Sequence, residues 1–228
     1  LSYAGTLQRA WADSTNVQLY YQSNARELAN DIEIDIGPVA PGFPHSSVAA
    51  HTLNFSDVDT WGFRADAVKV LGTGRHIVTY GIEAARDDSF NTDFSTTTTT
   101  IRTPHGNSPI VKTDDIANAP NATNTAYGVF AQDEMSIGQR LSITSGIRFN
   151  SVDTTAQETP GWNIAALGFS DRTFVGALSA KYQLHPSINV LASWGRGFRA
   201  PNIIERLFNG ATPEGSGYQI LNTTLESE

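Results

Sequence analysis

The chain has 228 residues, a formal charge of −8 at neutral pH, a single Met and no Cys. Without cysteine there is no disulfide framework and no thiolate metal site, and the acidic balance disfavours a surface for nucleic-acid phosphates. No run approaches the roughly 18 to 20 apolar residues of a membrane helix, whereas aromatics at 10% and a mean hydropathy of −0.25 suit a soluble β-protein and a transmembrane barrel alike, because in a barrel only every second strand residue meets lipid.

In chain order, Tyr3 to Trp11 reads as a strand that turns around Asp13, Ser14 and Thr15. A second strand follows, with Val17, Leu19 and Tyr21 alternating with Gln18, Tyr20 and Gln22, the period-two signature. It continues through Arg26 and Glu27 to Ile32, Ile34 and Ile36, interleaved with Asp31, Glu33 and Asp35, until Gly37-Pro38 and Pro41-Gly42-Phe43-Pro44 break it. A loop to about Asp57 contains His45 and His51, a spacing in a proline-rich loop that suits solvated side chains better than a metal site.

Alternation resumes from Thr60, with Trp61, Phe63, Ala65 and Ala67 against Arg64 and Asp66. Leu71-Gly72-Thr73-Gly74 is a hairpin turn by its glycines. The returning strand sets Val78, Tyr80, Ile82 and Ala84 against Thr79, Gly81, Glu83 and Ala85. Ser89 to Thr125 is the longest expected loop, and its run Thr96 to Thr100 suggests a β-excursion; loops of that length are usually functional. Tyr127 to Glu134 opens a hairpin around Gly138, and Leu141, Ile143, Ile147 and Phe149 against Ser142, Thr144, Gly146 and Arg148 form the returning strand. A loop from Ser151 to Asp171 precedes Phe174, Gly176, Leu178, Ala180 and Tyr182, a turn at His185-Pro186, and a last strand carrying Ile188, Val190, Ala192 and Trp194.

Connections near Ser14, Gly72, Gln139 and Pro186 are short, and those from Gly37, Asp88, Ser151 and Arg199 are long. Strict alternation puts every long connection at one end, as in outer-membrane barrels. Trp11, Tyr20, Tyr21, Trp61, Tyr182 and Trp194 fall near strand ends, where interfacial aromatic girdles stand. The expected fold class is therefore all-β: an antiparallel up-and-down transmembrane β-barrel, partial, of about eight strands. Arg64, Asp66, Glu83, Arg148 and Lys181 are expected to face its interior and to need partners there.

The last strand runs into Phe198-Arg199-Ala200-Pro201-Asn202, with Glu205 beyond, then a loop with Pro213, Gly215 and Gly217, and then Asn222-x-x-Leu225-x-x-Glu228. This pair of boxes resembles the TonB-dependent outer-membrane receptors, in which an aromatic-Arg-Ala/Ser-Pro box closes an outgoing strand and an Asn-Pro-x-Leu-x-Pro-Glu box opens the returning one. The second box departs from that pattern at Thr223 and Ser227, where prolines usually stand. Residues 1–228 would then be one barrel-domain fragment, a consecutive slice of a 22-stranded barrel, with the plug domain and the C-terminal strands absent.

The resemblance implies TonB-driven uptake of a scarce, bulky nutrient such as a ferric siderophore or haem, in the outer membrane of a Gram-negative bacterium, with the long loops extracellular. Partners would be outer-membrane lipid and lipopolysaccharide, the nutrient, and the TonB complex acting through a plug. Neither nucleic acid nor a cofactor is implied. Haem receptors of the family carry a His between the boxes; none lies between Pro201 and Asn222, where Tyr218 alone offers iron a phenolate. An anionic ferric chelate would require cations at the outer mouth, and the candidates are Arg86, Arg102, Lys112, Arg196 and Arg206. Arg199 is expected to anchor the strand-to-loop transition with Glu205. No catalytic constellation or metal-ligand set stands out, because Asp87-Asp88 and Asp114-Asp115 point apart in an extended chain. The other readings are a small closed eight-stranded outer-membrane barrel with a structural or adhesive role and, less favoured, an outer-membrane enzyme.

Overall fold

The computed structural model describes residues 1–6, 9–38, 44–103, 105–163, 167–211 and 218–228. Parts of four expected features lie outside the described residues: Leu7 and Gln8 of the first strand, the breaker Pro41-Gly42-Phe43, Pro104, and the loop residues Pro213, Gly215 and Gly217.

The strands are β1 (Ser2–Thr6), β2 (Ser14–Ile36), β3 (His45–Leu71), β4 (His76–Thr103), β5 (Gly106–Asp114), β6 (Ala122–Ile137), β7 (Leu141–Ala156), β8 (Gly168–His185) and β9 (Ile188–Gly195). After them come a short helix α1 (Ile203–Leu207) and a two-residue ladder of β10 (Gly210–Ala211) with β11 (Tyr218–Gln219). The nine longer strands form one antiparallel sheet in the order β1-β2-β3-β4-β6-β7-β8-β9, with β5 pairing the far half of β4. Eight strands thus follow one another as an up-and-down meander, as the sequence predicts, and β5 is the excursion suggested by the threonine run.

Register assigns every side chain to one of two faces. The pairs Leu19↔Phe63, Phe63↔Ala84, Ala84↔Tyr127, Val129↔Phe149, Phe149↔Phe174 and Leu178↔Trp194 make one face apolar. Ile147, Phe174 and Trp194 on it are 68%, 72% and 71% exposed, far beyond the scattered apolar residues of a soluble surface. On β3 the charged residues of this face nearest the band are Asp59 and Lys69. Ten steps of about 3.3 Å at a tilt of about 40° give an apolar height of roughly 25 Å, the height of an outer-membrane barrel's lipid band. One edge of the band carries Tyr21, which stacks on Trp61 at 4.6 Å and donates its hydroxyl to Asp59 at 2.9 Å. The other edge carries the pairs Lys69–Asp13 and His76–Asp133, each at 2.8 Å.

Several expected loops are strand instead. The stretch to Asp57 is strand from His45, Ser89 onward stays in β4 as far as Thr103, and β7 runs on to Ala156. Conversely, β1 stops at Thr6, and Arg9 to Trp11 bend so that the Arg9 amide donates to Ala12 O at 3.0 Å. The long strands overshoot the apolar band. Beyond it both faces meet polar surroundings, so Ser, Thr and Asn occupy both and the period-two contrast fades. On β2 the polarity even inverts: Glu27, Asp31, Glu33 and Asp35 continue the face that carried Leu19 and Tyr21, while Ile32, Ile34 and Ile36 stand on the opposite one.

The short turns are sharply made. Between β3 and β4, Gly72, Thr73 and Gly74 all have positive φ, with Thr73 at 56°, the one non-glycine to do so among the described residues. At the opposite end the connections interlock. Asn209 N donates to Asn118 O at 2.8 Å, Trp162 Nε1 to Ala117 O at 2.6 Å, and Gln157 N to Asn121 O at 2.7 Å. Among the described residues Leu207 and Pro120, the largest fully buried side chains, sit in this knot and not between sheet layers.

Candidate ligand vestibule and polar wall

The polar face carries a cluster of charges at mid-height. Arg64 and Glu83 are directly cross-strand, as are Phe130 and Arg148. Glu83 accepts a hydrogen bond from Arg148 Nη2 and lies 3.7 Å from Arg64 Nη1, while Arg64 Nε donates to Asp66 at 3.1 Å. Both guanidinium groups lie over Phe130, at 5.3 and 5.9 Å from its ring centre. Gly128 leaves the room for this: a Cβ there would meet the Arg148 guanidinium and the Glu83 stem. Four of the five interior charges expected from the sequence, Arg64, Asp66, Glu83 and Arg148, are thus partnered.

The first box folds across this wall. Phe198, Ala200, Pro201 and Asn202 line a cavity of about 600 Å³ together with Arg64, Glu83 and Arg148. Asn202 then caps α1: its side chain accepts from Glu205 N at 2.9 Å, and the Glu205 carboxylate accepts from Asn202 N at 2.9 Å, a reciprocal capping box. Arg199 Nη2 donates to Glu205, so the expected pair is formed. The Asn202 amide, and then the Arg199 guanidinium, hold the Glu205 carboxyl below its ordinary value. Asn222 of the second box accepts from Thr224 N at 3.1 Å, closing an Asx turn, and its own amide donates to Arg206 O at 2.9 Å. Leu225, the apolar member of that box, is 37% exposed.

The basic residues proposed for the mouth do not converge. Arg86 pairs with Asp88 on its own strand, at 2.9 Å, on the face that carries the apolar band. Arg102 is exposed near the end of β4 opposite His45, and Lys112 lies 3.5 Å from Asp114 on β5. Arg196 is exposed on the polar wall, beside Arg64 and Arg148 in a smaller recess. Arg206 is buried at 3%, bonded to Asp171 at 2.8 Å and stacked over Phe169 at 4.6 Å. It fastens α1 to β8 and faces no mouth. The Tyr218 backbone pairs with Ala211, and its side chain lies outside the described residues.

A second cavity, of about 250 Å³, opens beyond the apolar band on the polar-face side of β2, β3 and β4. Register builds its wall in rows: Arg26 beside Ser56 and Asn91, then Leu28 beside Asn54 and Asp93, then Asn30 beside Thr52. The knot of connections closes it opposite with Ile204, Phe208, Gln219, Asn118 and Ala119. Asp93, 5% exposed, accepts from Asn118 N at 2.6 Å and ties the knot to the wall. Asn91 accepts from Ser56 Oγ at 2.8 Å and donates to Pro120 O at 3.0 Å. None of these residues is singled out by sequence, because isolated Asn and Ser in a polar stretch carry no motif; their shared parity across three strands was the available signal.

A family model described as TonB dependent receptor-like, beta-barrel matches residues 1–228. Among solved structures the chain is similar to the copper transporter OprC, with a TM-score of 0.57 and 13% identity over 90% of this chain and 30% of that one. It is also similar to a double mutant of the Serratia marcescens hemophore receptor HasR in complex with its hemophore HasA and heme, with a TM-score of 0.41 and 11% identity over 94% of this chain and 40% of that one. The chain therefore spans well under half the length of either protein. No curated protein matches it.

Proposed function

The chain belongs to the TonB-dependent receptor β-barrel family, and from that premise we propose that it is part of the wall of an outer-membrane receptor that takes up a scarce, bulky nutrient. The single observation that carries this reading is the two-faced sheet, with an apolar band of roughly 25 Å on one side and a partnered Arg64–Glu83–Arg148 cluster on the other. The apolar face meets lipid and lipopolysaccharide, and the polar face lines the lumen. The interlocked connections stand on the extracellular side, and the short turns at Gly72 and Gly138 on the periplasmic side. Energy for uptake comes from the TonB complex, acting on a plug held inside a barrel of 22 strands. The first box, with Asn202 capping α1, directs the connection after β9 across the lumen mouth.

The test is uptake by cells that express the full-length protein in the outer membrane, with and without a functional TonB system. Uptake of the nutrient that supports growth is expected to require TonB. Uptake or adhesion that persists without TonB would favour the structural-barrel reading.

A further inference from the structure

We infer that the apolar face carries a seat for one anionic phospholipid of the periplasmic leaflet, with an acyl chain in a groove beside the short turns and the phosphate at Arg9 and Arg75. The inference rests on the membrane placement and sidedness of the receptor reading and adds a ligand on the outer surface of the wall.

The groove is a cavity of about 660 Å³. Ala65 and Ala67 on β3 and Ala131 on β6 give its floor only methyl groups, whereas Phe149 on β7 and Phe174 on β8 raise one flank. The β1–β2 connection builds another. Tyr80, cross-strand from Ala67 and Ala131 on the apolar face, donates its hydroxyl to Trp11 O at 2.5 Å, so the connection folds over that face. Trp11 lines the groove from there and is 56% exposed, while Ala12 beside it in the chain is fully buried. A hydrocarbon chain on a flat sheet face touches protein on one side and slides; in a recess between rings it gains dispersion contacts on several sides and is held.

The head of the groove is cationic. Ala67 is two residues from Lys69, so the groove opens at the rim of the short turns. Lys69 Nζ donates to Arg9 O at 2.9 Å, and Arg75 ends the turn Gly72–Gly74 that follows Lys69, which places both arginines at this rim. Both are exposed, and neither guanidinium has a partner among the described residues. Lys69 with Asp13 and His76 with Asp133 neutralise each other there, so the two arginines leave the rim positive although the whole chain carries −8. A guanidinium meets a phosphodiester in a charge-assisted contact, and basic residues beside an apolar recess select anionic headgroups. A zwitterionic headgroup brings its own ammonium to the same phosphate and gains less.

The experiment uses the full-length protein, purified from outer membranes in detergent, delipidated, and followed by native mass spectrometry as dioleoyl phosphatidylglycerol, dioleoyl phosphatidylethanolamine and lipopolysaccharide are titrated in turn. One phosphatidylglycerol per protein is expected, bound roughly ten-fold more tightly than phosphatidylethanolamine. Ala67→Trp fills the floor and is expected to weaken it roughly ten-fold, since methylenes of the chain lose their seat; Val190→Trp, the same side chain on the apolar face of β9 outside the groove, leaves binding unchanged. Arg9→Gln with Arg75→Gln is expected to abolish the preference for phosphatidylglycerol and keep the weaker binding of both lipids. Equal binding of the two phospholipids by wild type, binding indifferent to Ala67→Trp, a preference that survives loss of both arginines, tighter binding of lipopolysaccharide, or a dimer that Ala67→Trp dissociates would each overturn the proposal. TonB-dependent uptake without phospholipid selectivity would leave the receptor reading intact. A selective seat without TonB-dependent uptake would remove the transport reading and leave the lipid site standing.

Discussion

Arg199 and Glu228 exchange both of their backbone hydrogen bonds, N to O and O to N, each at 3.0 Å. The two sequence boxes, separated by α1 and a loop, therefore end side by side. The Arg199 guanidinium adds a contact to Glu205 and lies 3.9 Å from the Glu228 carboxylate, so one side chain joins the first box, the helix cap and the end of the second box. Arg199→Ala keeps the backbone pair and removes this junction. Amide exchange at Glu205 to Phe208 is expected to accelerate several-fold, while exchange in β7 and β8 stays unchanged. Equal exchange in variant and wild type would show that the backbone pair alone holds the segment.

The cap should be acid-sensitive in a defined direction. Glu205 is held below its ordinary value of 4.5 by the Asn202 amide and the Arg199 guanidinium. A depressed carboxylate contributes stability that is fully present above the ordinary value and is lost as pH falls through the lower folded value. Protection of α1 is thus expected to be flat through neutral pH and to fall only below 4.5. Glu205→Gln should remove that acid step, which hydrogen exchange followed across an acid series would read.

Arg206 and Asp171 form the buried fastening between α1 and β8. Removing one partner leaves the other charge buried and alone, at a cost of about 3 to 5 kcal/mol. Arg206→Ala is expected to unlock the segment after the first box, read as lost amide protection at Leu207 and Phe208. The double variant Arg206→Met with Asp171→Leu should recover most of it, since an apolar pair of similar volume avoids the unpaired charge.

The membrane placement makes its own prediction. Ile147 and Thr144 lie on β7 with opposite parity, Ile147 on the apolar face and Thr144 on the polar one. In a bilayer Ile147→Lys is expected to cost about 2 to 4 kcal/mol, as a cation at the midplane does, and Thr144→Lys much less. Urea titration of folding into lipid vesicles measures both. Equal costs would mean that the exposed apolar face does not meet lipid.

The linear chain by itself determined the strand meander within the apolar band, the face of nearly every residue there, the short turns and the family-like boxes. These are legible because lipid on one side and a polar lumen on the other impose a two-residue contrast that local sequence must carry. Where that contrast ends, so did the legibility: His45 to Asp57 and Ser89 to Thr103 read as loop and are strand, since pairing there is sustained by neighbouring strands and not by composition. Only the tertiary structure decided which charges were available. Arg206 is indistinguishable from Arg102 as a residue in a line, and it becomes a buried clasp because α1 packs it against Asp171 and Phe169. Asn54, Asn91 and Asp93 become one wall because register, a long-range property, sets three distant strands at the same height.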